Sequence, residues 1–273
     1  MKLRMPLSRG DALKLGSQYV GVGSLLVLQN ILTGCKAADS LLSDSGATDS
    51  VTDSTTSVGG GVCSSSIPSE TAGPYPAHDD SAINCLRLNG IVRSDIRSSL
   101  NTGGYSGSAT ATGIPLKMNF TVTDKSTCSP IAGYAFYLWH CDISGKYSMY
   151  SSGVTTQTYL RGVQTTDSSG QLSFTTIFPG CYDGRMPHMH FEIFPSLSQA
   201  VDNNYSLKTS QLTFPMDVLN TVYATSAYST SKTNLAKISY ATDNVFSDGY
   251  SSQLVSISGN TTSGYIASLV VGI

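Results

Sequence analysis

The chain has 273 residues, of which 40% are hydrophobic and only 12% charged, with a formal net charge of −2. This length accommodates one large β domain or two small ones. A chain so sparsely charged has no basic footprint for a phosphate backbone, which argues against nucleic acid as a partner.

Residues 1–34 read as a leader rather than as part of a fold. Lys2, Arg4, Arg9 and Lys14 precede an apolar run from Tyr19 to Gly34. That is the order of a signal peptide, and the run is too short to span a bilayer comfortably. It ends Leu32-Thr33-Gly34-Cys35, which resembles the lipobox of bacterial lipoproteins and makes Cys35 the expected lipid-modified residue. Several acyl chains there would anchor the protein stably to a membrane. Residues 35–66 are Ser, Thr, Asp and Gly with almost no large apolar side chains, so they form a flexible tether. The expected location is the cell envelope after export, at the outer membrane or the cell surface.

The folded domain is expected over residues 67–273. Leu86 to Val92 and Leu116 to Asp124 read as strands, the second alternating Leu116, Met118, Phe120 and Val122 with Lys117, Asn119, Thr121 and Thr123. Residues 94–113, rich in Ser, Gly and Thr, are a loop between them. Gly133 to Cys141 and Gln171 to Phe178 read as strands, joined by a loop that carries Tyr159-Leu160-Arg161-Gly162 and the turn Asp167-Ser168-Ser169-Gly170. A short helix is expected over Met216 to Tyr223. Short strands, frequent Gly, Asn and Asp turns and almost no helical periodicity predict a mostly β protein with an antiparallel β-sandwich core, long loops and little helix. In an exported chain disulfides are plausible; Cys128–Cys141 and Cys63–Cys85 are the expected pairs, with Cys181 left over.

Residues 179–191 concentrate the chemistry: Pro-Gly-Cys-Tyr-Asp-Gly-Arg-Met-Pro-His-Met-His-Phe. From His188 to Phe194 the pattern has period two, so a strand there places His188 and His190 on one face and Met189, Phe191 and Ile193 on the other. Residues two apart on a strand lie roughly 6.6 Å apart along the chain, which lets two imidazoles converge on one ion. His-x-His by itself fits a satisfied structural pair as well as a metal site. Its company favours the metal: Tyr182 follows a Pro-Gly turn six residues before His188, and Tyr147 follows a turn after Trp139-His140. His140 is expected to hydrogen-bond within its strand and not to be a ligand.

These blocks resemble the intradiol ring-cleavage dioxygenases, the non-haem iron enzymes related to catechol and protocatechuate dioxygenases. Gly145-Lys146-Tyr147 after Trp139-His140, then Pro179-Gly180-Cys181-Tyr182, Arg185 and His188-Met189-His190 reproduce that family's pattern in order. Thr71-Ala72-Gly73-Pro74-Tyr75, Gln211 and the stretch Gly264 to Ile273 extend the likeness, which covers roughly residues 67–273. The resemblance implies Fe(III) held by Tyr147, Tyr182, His188 and His190. Two phenolates are hard anionic donors, which also favours Fe(III) over Zn. It implies a catechol-type substrate and O2, with both oxygen atoms inserted and the ring opened between its two hydroxylated carbons to a muconate-type diacid. Tyr182 would be ligand and base in turn, Arg185 would face developing negative charge, and Gln211 would lie near the same pocket. The segment 71–75 would shape the mouth of the site. Only five residues separate Tyr182 from His188, a short form similar to the exported branch of the family, and a more open pocket for bulky catechols is expected from it. The reading from a different class is a lipid-anchored β-sandwich binding module that keeps a structural metal site.

Overall fold

The computed structural model describes residues 66–79 and 83–273. Strands β1 (Pro115–Thr123), β2 (Ala135–Trp139), β3 (Arg161–Thr165), β4 (Gln171–Ile177), β5 (His188–Phe194), β6 (Lys208–Thr213), β7 (Ser256–Asn260) and β8 (Gly264–Gly272) form two four-stranded sheets. Their orders are β4-β1-β8-β7 and β3-β2-β5-β6. All neighbours run antiparallel except β1 and β8, which are parallel. The expected sandwich is therefore the fold, with one parallel pair inside it.

The inner faces meet in an aromatic core. Alternation on β1 buries Leu116, Met118, Phe120 and Val122. Phe120 packs against Phe136 of β2 with ring centroids 4.3 Å apart, and Phe136 stacks on Phe191 of β5 at 4.9 Å. The second sheet is covered on its outer face too, because Leu86, Leu88, Ile91, Ala77 and Met149 from loops pack on Ala135, Tyr137, Trp139 and Phe194. Burial on both faces is why β2 reads as an unbroken apolar run, and it leaves every residue of β5 buried although His188, His190 and Glu192 are polar. The outer face of β5, carrying His190 and Glu192, is thus sealed beneath loops rather than exposed to water.

Several expectations need correction. Leu86 to Val92 is not a strand: the chain turns twice, with the Leu88 amide donating to the Cys85 carbonyl and the Ile91 amide to the Leu88 carbonyl. Its apolar residues are the loop's contribution to the outer core, and alternation alone does not distinguish that from a strand. Arg161 and Gly162, expected in a loop, begin β3 and pair with Trp139 and Leu138. Neither expected disulfide forms, because Cys85, Cys141 and Cys181 are buried free thiols while Cys128 is disulfide-bonded. Cys141 lies two residues past the end of β2, a central strand, and its thiol faces the Gly180 carbonyl. The helix expected at Met216–Tyr223 forms as α1; α2 (Ser229–Leu235), whose sequence is mostly polar, was not foreseen. The leader, Cys35, Cys63 and the tether up to residue 65 lie outside the described residues, while Ser66, expected in the tether, bridges to Gly272 of β8. Among the described residues no helix is long and apolar enough to cross a membrane.

Candidate metal centre and cleft

Strand β5 presents His188 and His190 two residues apart on one face, as period two requires. His190 lies in register between Trp139 of β2 and Gln211 of β6. The Trp139 indole stacks on it with centroids 5.0 Å apart and planes 6° from parallel, which fixes the plane of the imidazole. His188 is oriented differently: its Nδ1 lies 2.6 Å from the Met186 carbonyl. A carbonyl only accepts, so the proton sits on Nδ1 and the Nε2 lone pair faces inward.

Two loops bring the phenols to that lone pair. The turn before Tyr147 is set by Asp142, whose Oδ1 accepts from the amides of Ser144 and Lys146. Gly145 there has φ +77°, and a Cβ on it would meet the Tyr182 Cβ at 2.8 Å, so only glycine lets the two tyrosine loops approach so closely. The Tyr182 hydroxyl lies 3.1 Å from His188 Nε2, the Tyr147 hydroxyl 3.4 Å and His190 Nε2 3.0 Å. All four residues expected as ligands therefore come together.

A single imidazole lone pair cannot accept from three neighbours at once. Nor is His190 satisfied elsewhere: its Nδ1 is buried beside the Thr71 carbonyl without a well-formed hydrogen bond. Burial holds His188 neutral, its pKa lowered to about 3, and holds His190 well below the usual histidine range. Burial likewise pushes the Tyr182 phenol up to about 12, against the opposing pull of Arg185, and raises Tyr147 well above its ordinary value. Two neutral imidazoles and two protonated phenols therefore crowd one point without a complete set of hydrogen bonds among them. Replacing the phenol protons by one highly charged cation resolves this, and the hard oxygen donors fit Fe(III). Among the described residues no three His, Cys, Asp or Glu side chains gather to hold a metal, so this mixed phenol and imidazole set depends on the tyrosines.

Tyr147 is 1% exposed, whereas Tyr182 is only partly buried and lines a cleft of about 670 Å³ together with Thr71, Gly73, Pro74, Tyr75 and Arg185. This volume lies within the ~300–1,000 Å³ usual for small-molecule sites. Thr71, Gly73, Pro74 and Tyr75 of segment 71–75 thus line the same cleft as Tyr182.

Arg185 is held rigidly. Its Nε donates to Asp243 Oδ2 at 2.9 Å and its Nη2 to Gln211 Oε1 at 2.7 Å, while the Gln211 amide donates to the Thr71 carbonyl at 2.8 Å. Gln211 therefore couples the arginine to segment 71–75. Asp243, which sequence reading missed, is wholly buried and also accepts from the amides of Met186, Val245 and Phe246. Burial would raise its pKa, but Arg185 and these amides hold the carboxyl below its usual value. It lies in the polar stretch Ala241-Thr242-Asp243-Asn244, where no local pattern marks it. His140 stands apart from the centre, with Nδ1 2.8 Å from the Cys141 carbonyl and Nε2 2.7 Å from Thr176 Oγ1. His78 instead pairs with buried Glu192 at 2.6 Å.

Residues 101–255 match the family described as dioxygenase. The fold is similar to a structure titled intradiol ring-cleavage dioxygenase from Tetranychus urticae, at 26% identity and a TM-score of 0.58, covering 77% of this chain and 94% of that one. It is also similar to the dioxygenase domain of a dioxygenase and carbohydrate-binding protein fusion from Streptomyces sp. SirexAA-E, at 20% identity and a TM-score of 0.49, covering 76% and 97%. No curated protein matches the chain.

Proposed function

The chain belongs to the intradiol ring-cleavage dioxygenase family of oxidoreductases, and we propose that it is an Fe(III)-dependent enzyme that cleaves catechol-type aromatics between their two hydroxylated carbons. The observation that carries this reading is the convergence of two phenol oxygens and two imidazole nitrogens beside a cleft walled by an arginine. Tyr147, Tyr182, His188 and His190 would hold the ion. When bound, Fe(III) draws electron density from a chelated catecholate and makes its ring carbon reactive toward O2.

The chain's own residues then divide the work by burial. Tyr147, sealed beneath the loops, stays in place. Tyr182, on the cleft, would be held as a phenolate when the ion is bound, and as the more accessible of the two it would be the one to accept the proton of a substrate hydroxyl, becoming a neutral phenol. Arg185 faces the cleft with its guanidinium fixed by Asp243 and Gln211, so it meets developing negative charge without first having to reorganise. Segment 71–75 helps to confine the ring. The product of insertion of both oxygen atoms is a muconate-type diacid.

Two further parts of this reading concern the substrate and the location. The short link from Tyr182 to His188 leaves the rim open, which favours bulky catechols; strict discrimination between catechol and 4-substituted catechols on an assay panel would contradict this. Export and a lipid anchor on Cys35 follow from the leader pattern, and loss of acyl labelling in Cys35→Ser would support them.

The direct test is the visible absorption of the iron-loaded protein before and after anaerobic addition of catechol. Tyrosinate bound to Fe(III) gives a strong charge-transfer band, and bidentate catechol is expected to shift it to longer wavelength. A protein that remains colourless after reconstitution would remove the ligand set and the function with it.

A further inference from the structure

Behind the cleft lies a second arginine, and it takes no part in any ion pair among the described residues. Arg161, at the start of β3, is 1% exposed, yet every N–H it owns is used. Nε donates to Ser148 Oγ at 3.1 Å, Nη1 to the Pro76 carbonyl at 3.1 Å and to the Tyr137 hydroxyl at 3.0 Å, and Nη2 to the carbonyls of Tyr75 at 2.9 Å and Ser148 at 3.0 Å. The guanidinium also lies 5.5 Å from the centroid of the Tyr150 ring. Five donors meeting five neutral acceptors in fixed directions is a task that only the planar guanidinium fork performs.

Four of the five acceptors belong to two segments beside the site, at Tyr75-Pro76 and at Ser148, and the fifth is the Tyr137 hydroxyl on β2. Tyr75 and Pro76 continue the cleft wall, whose Tyr75 ring packs 5.0 Å from Tyr147. Ser148 directly follows Tyr147. The backbone around these contacts is strained. Four non-glycine residues among those described have positive φ, and three of them flank the contacts of Arg161: Ala77 (φ +52°) after Pro76, Met149 (φ +70°) after Ser148, and Leu160 (φ +58°) before Arg161 itself. Left-handed conformations of Ala, Met and Leu persist only where the surroundings over-determine them. Backbone bonds supply part of that constraint, with the Leu160 amide on the Ile96 carbonyl, the Met149 amide on the Val154 carbonyl and the Cys85 amide on the Ala77 carbonyl; the Ala77 amide on the Tyr150 hydroxyl and the Tyr137 hydroxyl on the Pro76 carbonyl add to it, and Arg161 is the side chain that joins the segments to one another.

We propose that Arg161 is the positioning residue of the site: it ties the cleft wall at Tyr75 and Pro76 to the loop that carries Tyr147, and so sets the distance between substrate wall and phenol. This rests on reading the cleft as the catechol site. Apolar side chains of similar volume often serve stability as well as buried charged groups do, whereas a guanidinium is suited to holding carbonyls at defined positions.

The test combines Arg161→Lys, which keeps the charge but offers three donors in place of five, with hydrogen exchange and steady-state kinetics. Exchange is expected to rise selectively at 75–79 and 147–151, with β1, β4 and β8 unchanged, and KM for catechol to rise about tenfold or more through misplacement of the wall. If the lysine variant does not fold, Tyr137→Phe leaves the guanidinium but removes its shared hold on Pro76, and the same two segments should loosen to a smaller degree. Exchange that rises uniformly, or not at all in these segments, would overturn the proposal, as would selective loosening with unchanged kinetics. A wild-type protein inactive on every catechol would fail the functional reading instead, and the exchange pattern would still decide whether Arg161 is the brace.

Discussion

Asp243→Asn puts the rigidity of Arg185 to the test. The wild-type carboxylate accepts four hydrogen bonds, two on each oxygen, from Arg185 Nε, Met186 N, Val245 N and Phe246 N. Asparagine keeps one acceptor oxygen, which can serve the Val245 and Phe246 amides. Its NH2 then faces Arg185 Nε and the Met186 amide, donor against donor, and the guanidinium loses its counter-charge in a site where the aspartate is fully buried. Breaking a buried charged pair in this way costs roughly 3–5 kcal/mol. For a domain of this size that corresponds to a fall in Tm of about 6–20 °C. A displaced Arg185 should also lower kcat/KM by about 10²-fold. Urea unfolding of the iron-loaded protein gives the first quantity and oxygen uptake with catechol the second. A variant within ~1 kcal/mol of wild type with unchanged kcat/KM would show that Asp243 neither holds Arg185 nor stabilises the fold.

Gly73→Ala should raise KM for catechol and destabilise the protein by about 1–3 kcal/mol, since Gly73 has φ +69° and a Cβ there would press on His190 Cε1 at 3.2 Å; steady-state kinetics and thermal unfolding check both. Acid should weaken the fold through His140, whose pKa burial lowers to about 4. Between its unfolded value of about 6.5 and that folded value the unfolded chain alone binds the proton, so stability falls as pH drops, by ~1.4 kcal/mol per unit and roughly 3 kcal/mol in all. His140→Asn should reduce the slope of unfolding free energy against pH by about one proton, and an unchanged slope would refute the assignment. Cys85, Cys141 and Cys181 should resist alkylation in the native protein and be modified only after denaturation, as burial raises all three thiol pKa values; peptide mapping that finds Cys85 or Cys141 in a disulfide would contradict the structure.

Much of the site was legible because its residues are close in sequence or follow a simple period. His188 and His190 share a face by the geometry of any strand, and Tyr182 and Arg185 lie within six residues of His188. The sandwich was legible in the same way, from alternation on β1 and the turn residues between strands. Errors arose where burial has a second source. Leu86 and Leu88 alternate like a strand but cover a sheet that the core already fills on its other face. Strand β3 was hidden because Arg161 and Gly162 look like loop residues until the guanidinium has somewhere to go. Cys141 resembles half of a disulfide only until the chain just past β2 is seen to bury its thiol against the Gly180 carbonyl.

The set of donors and the elements that carry them follow from local patterns, because strand period and turn chemistry are local properties of the chain. Which phenol is sealed and which faces the cleft, the hold of Asp243 on Arg185 and the bonds from Arg161 to two distant loops emerge only from the packing of the whole domain. These depend on contacts between residues 58 to 86 positions apart in the chain, and no local pattern records which carbonyls a buried guanidinium will find.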